Sequence, residues 1–343
     1  MRVAFCNNAP VRTARRLFAA GEYPAQKLWG AVEMEASGHD VHYVDVSGRW
    51  PLLERAGLAA RDRLGEIATE RAVLRLLASG QVDVVFAGAE QTLPAVSLMR
   101  AAGIVRKPVA AVYHNPPRRA AKNVARGYDH VFALTEKAYE GLLDAGRPAD
   151  RTTILPWGPQ LDFAAYRSTA SEYVVSCGKS CRDIGMFATA VARADVPALV
   201  YAPDEWAAPE PSAALEIRRF SEVLPYPRVL ADMARASVVA IPLDRTDRAL
   251  GLSELADAMA MSKPVVITRS PFLDVDVEKI GCGIVVELGD ADAWSAAISL
   301  LHNDPDLARR MGQAGRRFAE RQWNSSICAQ AIGETLEELV RAA

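Results

Sequence analysis

Short apolar runs rich in valine recur along the whole chain, and stretches with helical periodicity lie between them. Runs without polar alternation are typical of strands buried on both faces, as in parallel sheets covered by helices. The pattern therefore predicts an α/β chain made of two doubly wound, Rossmann-like domains, each with its own sheet. The runs are Val3–Cys6, Val41–Val46, Val82–Phe86, Val109–Tyr113, Val131–Leu134 and Thr153–Pro156, and then Tyr173–Cys177, Ala198–Tyr201, Val238–Ile241, Val265–Thr268 and Ile284–Val286.

The two series of runs are separated by Leu155–Arg167, where prolines and a glycine follow a strand and no helical period continues. At 343 residues the chain exceeds one ordinary core, which also favours two domains. We predict an N-terminal domain over 1–158, a C-terminal domain over 159–325, and a final helix over 326–343 that packs back toward the first domain. Ligands of such sheets bind beyond the carboxyl ends of the strands, so we expect the domains to face a cleft.

Composition argues against several classes of partner. A formal net charge of −2 provides no global field for nucleic acid. The first apolar run ends at once in Asn7-Asn8, which indicates a strand and not a signal peptide, and no run approaches the length of a membrane span. Cys177 and Cys181 have no second Cys or His pair that would complete a zinc site. We therefore expect a cytoplasmic protein with free thiols, no metal and no cofactor.

The segment Leu250–Thr268, LGLSELADAMAMSKPVVIT, carries the clearest chemical pattern. Gly251, Leu252 and Ser253 fall at a predicted helix start, where unpaired backbone N–H groups attract a phosphate. Glu254 and Asp257 lie three residues apart on one face of that helix, where a carboxylate can accept ribose hydroxyls. The alternative is an ordinary N-cap at Ser253, with Glu254 complementing the helix dipole.

A second pattern lies in Val174–Phe187, VVSCGKSCRDIGMF, where a buried strand ends at a polar turn. Gly178 allows a diphosphate to approach the backbone, and Lys179 and Arg182 supply positive charge for a departing nucleotide. The alternative is an exposed basic turn in which Arg182 pairs locally with Asp183.

These patterns together resemble the donor-binding signature of the GT-B fold glycosyltransferases, in particular the large retaining, family 4-like group called glycosyl transferases group 1. The family signature has the form E-x7-E-A-M-A-x-G-x-P-V, and 257–260 and 263–266 match its second half. Asp257 replaces the second glutamate, Ala249 the first, and Ser262 the glycine. The resemblance implies that Asp257 binds the nucleotide ribose. It also implies that Arg182, with Lys179 in reserve, grips the donor diphosphate.

Polar residues also follow the strands of the N-terminal half, at the edge where acceptor contacts are expected. They are Asn7 and Asn8 after the first strand, Glu90, Gln91 and Thr92 after the third, and His114 and Asn115 after Val109–Tyr113. The resemblance places a histidine at this position near the donor sugar, and neutral imidazole can bind a sugar or an acceptor hydroxyl. The alternatives are a plain turn at the asparagines and a backbone tether at His114.

A basic cluster follows His114, with members Arg118, Arg119, Lys122 and Arg126. It would suit an anionic acceptor or a membrane surface, but it lacks interleaved apolar residues, which favours a solvated helical face.

The leading hypothesis is a metal-independent hexosyltransferase that moves a sugar, with retention, from a UDP- or GDP-sugar to an acceptor hydroxyl. The acceptor is a small molecule or a lipid-linked glycan, and His114 and Arg182 are the catalytic candidates. Two alternatives remain open, namely a nucleotide-sugar 2-epimerase and an inactive relative that acts as the partner of a transferase.

Overall fold

The computed structural model describes residues 1–45, 67–118, 121–168, 172–206, 214–221 and 224–343. Val46, the last residue of the second predicted strand, and Arg119 of the basic cluster lie outside these ranges. Two compact units are present: residues 1–157 with 325–343, and residues 158–324.

The first unit contains a sheet of six parallel strands in the order β2-β1-β3-β4-β5-β6. Its strands are β1 (Arg2–Cys6), β2 (Asp40–Val44), β3 (Val84–Ala87), β4 (Val109–Tyr113), β5 (His130–Ala133) and β6 (Thr152–Ile154). Its described helices are α1 (Val11–Ala19), α2 (Ala31–Ala36), α3 (Ile67–Ala78), α4 (Pro94–Ala101), α5 (Lys122–Gly127) and α6 (Glu136–Asp144), with short 3₁₀ helices at Ala25–Leu28 and Ala149–Arg151. Every residue of β3, β4 and β5 is buried, as a sheet covered on both faces requires.

The second unit repeats this architecture, with six parallel strands in the order β12-β11-β10-β7-β8-β9. Its strands are β7 (Tyr173–Ser176), β8 (Ala198–Pro203), β9 (Leu215–Phe220), β10 (Ala236–Ile241), β11 (Val265–Thr268) and β12 (Gly283–Val286). Its described helices are α7 (Ile184–Ala194), α8 (Tyr226–Arg235), α9 (Leu252–Ala260), α10 (Val277–Ile280), α11 (Ala291–Asn303) and α12 (Pro305–Gln322). The last helix of the chain, α13 (Ser325–Ala342), belongs to the first unit and contacts α2 and β3. The prediction of two Rossmann-like α/β domains is thereby confirmed.

Strand β9 is absent from the predicted runs. It forms the edge of the second sheet, and most of its residues are partly or fully exposed. Glu216, Arg218 and Arg219 interrupt the apolar run by which the other strands were recognised, and charged side chains of this kind are common on edge strands.

Each sheet has one point where the chain reverses its direction of winding. In the first sheet the loops after β1 and β3 lead to opposite sides, and in the second sheet the loops after β7 and β10 do so. Diverging loops leave a crevice at the carboxyl ends of the strands, which is where ligands of doubly wound sheets bind. The fold therefore singles out two pairs of loops.

Asp side chains start most helices of the second unit. Asp183, Asp276, Asp290 and Asp304 each accept a hydrogen bond from the backbone N–H three residues later. Such caps satisfy one of the unpaired donors at a helix start. Helix α9 differs, because its N-cap is Gly251 and no side chain caps it from that position.

Among the residues that the structure describes, no helix is both long enough and apolar enough to cross a membrane.

Candidate functional site

The two loops at the crevice of the second sheet are joined directly. The backbone N–H of Asp183 donates to the carbonyl of Pro242 (2.9 Å), and that of Asp244 donates to the carbonyl of Cys181 (2.9 Å). Arg182 and Leu243 form an antiparallel bridge between these bonds. The turn after β7 and the loop that leads into α9, both predicted to hold the donor diphosphate, are therefore neighbours in the fold.

Arg182 lies between Gly178 and helix α9. Its side chain is only 5% exposed and forms an ion pair with Glu254, whose side chain is 11% exposed. A second guanidinium nitrogen, Nε, lies 3.4 Å from the other oxygen of Glu254, and Nη1 donates to the carbonyl of Ser180 (2.5 Å). Arg182, which was predicted to bind phosphate, is thus paired with Glu254, one of the two residues predicted to bind the ribose.

Gly178 leaves the space that the Arg182 guanidinium occupies. A Cβ atom at position 178 would stand 2.0 Å from Nε of Arg182, so any side chain there would displace the guanidinium. The glycine was predicted to let a diphosphate approach the backbone, and in the structure it lets a buried arginine do so.

The start of α9 has no side-chain cap at its N-cap position, Gly251. Gly251 has a φ of +86°, which favours glycine, and its carbonyl accepts the first helical bond from Leu255 (2.9 Å). Ser253 is partly exposed, whereas Gly251 and Leu252 are buried. Backbone N–H groups at such a start carry the positive end of the helix dipole.

Asp257, one turn further along α9, is held by two tyrosines. Tyr166 donates to its Oδ1 (2.6 Å), and Tyr226 lies within 3.0 Å of Oδ1 and 2.9 Å of Oδ2. The aspartate is 2% exposed. Burial first, and then the nearby charge of Asp257, raise the pKa of Tyr226, so its hydroxyl keeps the proton that it donates. Sequence reasoning missed both tyrosines, which come from the segment after the first unit and from the start of α8.

Exposed basic residues lie on both loops of this crevice. Lys179 is exposed on the turn after β7, and Arg245 and Arg248 are exposed on the loop after β10. The sequence analysis did not select Arg245 and Arg248. Their signal was available in their position, because they precede the helix start that was selected.

In the first unit, the loops after β1 and β3 also meet. The backbone N–H of Gly88 donates to the carbonyl of Cys6 (2.8 Å), and a Cβ atom at position 88 would lie 3.1 Å from Cγ of Asn7. Asn7 is nearly buried and its Oδ1 accepts from the backbone of Asn8 (2.8 Å), whose own side chain is exposed.

Glu90 and His114 form the central contact of this crevice. Oε2 of Glu90 lies 2.9 Å from Nδ1 of His114 and also accepts from the backbone N–H of the same residue (3.2 Å). Burial alone would raise the pKa of Glu90, but its electrostatic interaction and hydrogen bonds with His114 outweigh burial and hold that pKa below its ordinary value. The carboxylate was predicted to face an acceptor, and in the structure it faces the predicted histidine.

The other predicted acceptor-side residues are spread around this pair. Gln91 is exposed, Asn115 is partly exposed, and Thr92 is fully buried with no hydrogen-bond partner for its Oγ1 among the described residues. Of the basic cluster, Arg118 and Arg126 are exposed and Lys122 is partly exposed. Arg126 donates through Nε to the carbonyl of Ala145 (2.8 Å).

Within the described ranges, no group of three or more His, Cys, Asp or Glu residues is arranged to hold a metal ion. None of the five cysteines, all of which lie in those ranges, forms a disulfide.

Residues 219–318 match the model of the family described as Glycosyl transferases group 1. A D-inositol 3-phosphate glycosyltransferase of Corynebacterium jeikeium is 32% identical to the chain over 122 residues. That match covers 35% of this chain and 28% of the relative, so the compared stretch is a little over a quarter of the relative's length.

Similar solved structures extend over nearly the whole chain. One is HepE of Anabaena in complex with UDP and glucose, with a TM-score of 0.67, 15% identity, and 98% of this chain and 99% of that chain covered. Another is a glycosyltransferase of Rickettsia africae, with a TM-score of 0.72, 12% identity, and 100% and 99% covered. A UDP-GlcNAc 2-epimerase of Neisseria meningitidis has a TM-score of 0.60, 12% identity, and 98% and 100% covered. At these identities the likeness shows the fold, and the fold is common to transferases and an epimerase.

Proposed function

We propose that this chain, a group 1 glycosyltransferase with the GT-B fold, transfers a hexose from a nucleotide diphosphate sugar to an acceptor hydroxyl with retention and without a metal ion. The observation that carries the proposal is the junction of the two loops in the second unit. It brings Lys179, Arg182 and the uncapped start of α9 to the one crevice where a doubly wound sheet binds its ligand.

The donor side follows from the charges at this crevice. The bond between the anomeric carbon and the phosphate oxygen breaks, and negative charge grows on the departing diphosphate. Lys179 and the backbone N–H groups of 251–253 stabilise that charge, and Arg182 contributes to the extent that the phosphate displaces Glu254. These groups supply the positive field for the leaving group, so the proposal includes no resident metal or cofactor.

On the acceptor side, the acceptor oxygen forms the new bond on the face from which the phosphate leaves. The leaving phosphate oxygen takes the acceptor's proton, so no enzymic nucleophile is required. Retention rests on the family resemblance, and the product anomer would decide it.

The relatives suggest the class of substrates. HepE has been solved with UDP and glucose and with UDP-glucose, and the C. jeikeium relative is a D-inositol 3-phosphate glycosyltransferase. We propose a UDP-hexose as the donor to test first and a polyol or sugar hydroxyl as the acceptor.

A thermal-shift panel of UDP, GDP, ADP and dTDP tests the donor assignment. A ligand that binds only the native state stabilises it by RT ln(1 + [L]/Kd), or about 2.7 kcal/mol at a hundred times Kd. We expect one diphosphate to raise the melting temperature. The Lys179→Gln variant should require a higher concentration of that diphosphate for the same rise. The exposed Lys137→Gln, in the first unit, is the matched control. If none of the four diphosphates shifts the melting temperature, the proposal fails.

A specific observation favours one alternative, a nucleotide-binding relative without transferase activity. Ala249 replaces the signature glutamate, and the carboxylate of Asp257 is engaged by Tyr166 and Tyr226. Hydrolysis of the matching nucleotide sugar, followed as release of the diphosphate without acceptor, separates the two. Binding without any release would support the inactive relative.

A further inference from the structure

The contact between Glu90 and His114 fixes which of the two groups donates the hydrogen bond, and the proposed function does not use this. One carboxylate oxygen, Oε2, contacts both the backbone N–H (3.2 Å) and the ring Nδ1 (2.9 Å) of His114. A backbone N–H can only donate, so this oxygen acts as an acceptor. An ionised carboxylate has no proton to give, and the ring nitrogen that faces it must therefore carry one.

The ring has little freedom to turn away from this contact. The rings of His114 and Trp29 meet in a T-shaped arrangement, with 5.1 Å between centroids. Trp29 is 7% exposed and stacks at a tilt on Trp157 (5.7 Å), whose Nε1 donates to the carbonyl of Gln26 (3.1 Å). Within the described part of the chain, the hydrogen bonds of His114 to Glu90 use its backbone N–H and Nδ1 and not Nε2, and a quarter of the His114 side chain is exposed.

We propose that Glu90 is a positioning residue, which holds the proton of His114 on Nδ1 and so leaves Nε2 as a hydrogen-bond acceptor for a hydroxyl of the substrate. In a neutral histidine, the hydrogen bond made by one ring nitrogen determines which of the two nitrogens carries the proton. Glu90 thus acts through His114 and does not touch the substrate. No proton is transferred, since the hydroxyl keeps its hydrogen while it donates to Nε2.

The proposal rests on the proposed function only for the source of the hydroxyl, which belongs to the donor sugar or to the acceptor. The protonation state of the ring can be measured without any turnover. Failure of the inference and failure of the proposed function are therefore distinguishable.

Two-bond ¹H–¹⁵N correlation spectra of the ¹⁵N-labelled protein at neutral pH test the tautomer. The His114 signals are assigned by their loss in His114→Gln. We expect the pattern of a ring protonated on Nδ1 with a free lone pair on Nε2. In Glu90→Leu, which removes the acceptor, the ring should shift toward the Nε2-protonated form. If that variant does not fold, Glu90→Gln gives the same comparison, because the loss of charge should weaken the preference.

The control is Glu35→Gln, which removes another half-buried carboxylate of the first unit, paired with Arg15. It should leave the His114 signals unchanged. Three results would overturn the inference: a wild-type ring protonated on Nε2, a ring protonated on both nitrogens, or an unchanged tautomer in both Glu90 variants.

Once the donor panel has given a substrate, kinetics test the purpose of the free lone pair. His114→Gln keeps a hydrogen-bond acceptor but cannot serve as a base at neutral pH, so its kcat/KM should remain within about tenfold of wild type. His114→Leu should lose about tenfold to a hundredfold. Adding Glu90→Leu to His114→Leu should cause no further loss, because Glu90 acts through the ring. A rise in the donor KM or in the acceptor KM identifies the source of the hydroxyl. A further loss in the double variant, or equal losses in His114→Gln and His114→Leu, would contradict an orienting role.

Discussion

The buried Arg182–Glu254 pair allows the phosphate assignment to be tested by two variants with opposite expected effects. Both side chains are almost completely buried, and the ion pair neutralises the guanidinium that was predicted to bind the donor diphosphate. If a diphosphate binds Arg182, it competes with Glu254 for the same positive charge. Removal of the arginine should then weaken binding, and removal of the glutamate should strengthen it.

The magnitudes follow from burial. A hydrogen bond to a charged group contributes ~1.5–3 kcal/mol, so Arg182→Gln should weaken UDP binding roughly tenfold to a hundredfold. Glu254→Gln should tighten it by about tenfold, because the guanidinium no longer has a carboxylate partner. Each single change leaves a buried charge unpaired, which costs about 3 kcal/mol or more of folding free energy. For a unit of this size that corresponds to a melting temperature roughly 6 °C lower or more.

Isothermal titration calorimetry with UDP, or with whichever diphosphate the panel selects, measures the binding arm, and calorimetric melting measures the stability arm. The double variant Arg182→Gln/Glu254→Gln leaves two amides that can bond to each other, so it should be more stable than the sum of the single effects predicts. Weaker diphosphate binding in Glu254→Gln would refute the competition and indicate that Glu254 itself contacts the nucleotide. Unchanged melting temperatures in both single variants would refute the burial argument.

Three further predictions address the surroundings of the two crevices. Gly178→Ala should displace Arg182 and lower both the melting temperature and the affinity for the diphosphate. The control is Gly185→Ala, where the nearest atom lies 3.9 Å from the added Cβ, and it should be neutral or stabilising by up to about 1 kcal/mol. Equal behaviour of the two variants would contradict the packing of Arg182 against Gly178. Asp257→Asn should weaken diphosphate binding about tenfold through loss of a charged ribose acceptor, while Tyr226→Phe should not; equal binding losses would show that the carboxylate only anchors its tyrosines. Glu70 accepts backbone bonds at the start of α4, and burial, the largest effect, raises its pKa to about 7. Because the pKa of Glu70 is higher in the folded state than in the unfolded state, its contribution to the free energy of unfolding is complete below about pH 4.5 and is lost as pH rises through about 7. Wild type should therefore lose up to about 3 kcal/mol of that free energy relative to Glu70→Gln between pH 4.5 and 8. Parallel stability profiles of the two proteins would contradict this.

The parts of the fold that could be read from the sequence are those set by local pattern. Central parallel strands are buried on both faces, so they appear as unbroken apolar runs, and the turns after them could be selected as candidate sites. Strand β9 could not be recognised in this way, because three of its six residues are charged and interrupt the apolar run.

The pairings within the sites could not be read in this way. Arg182 and Glu254 are separated by 72 residues, and Tyr166 and Asp257 by 91. Their contacts depend on strand order and on the direction of each helix, and neither is encoded in a local spacing. The same holds for Glu90, whose position after a strand predicts a crevice residue but not that His114 is its partner.

The central claim is that the crevice of the second unit holds the donor diphosphate, and a crystal structure with the diphosphate selected by thermal shift tests it most directly. The account predicts the terminal phosphate within hydrogen-bond distance of the backbone N–H groups of 251–253, with Lys179 beside it and the Arg182–Glu254 contact opened. A diphosphate bound elsewhere on the chain, with those N–H groups facing only solvent, would contradict it.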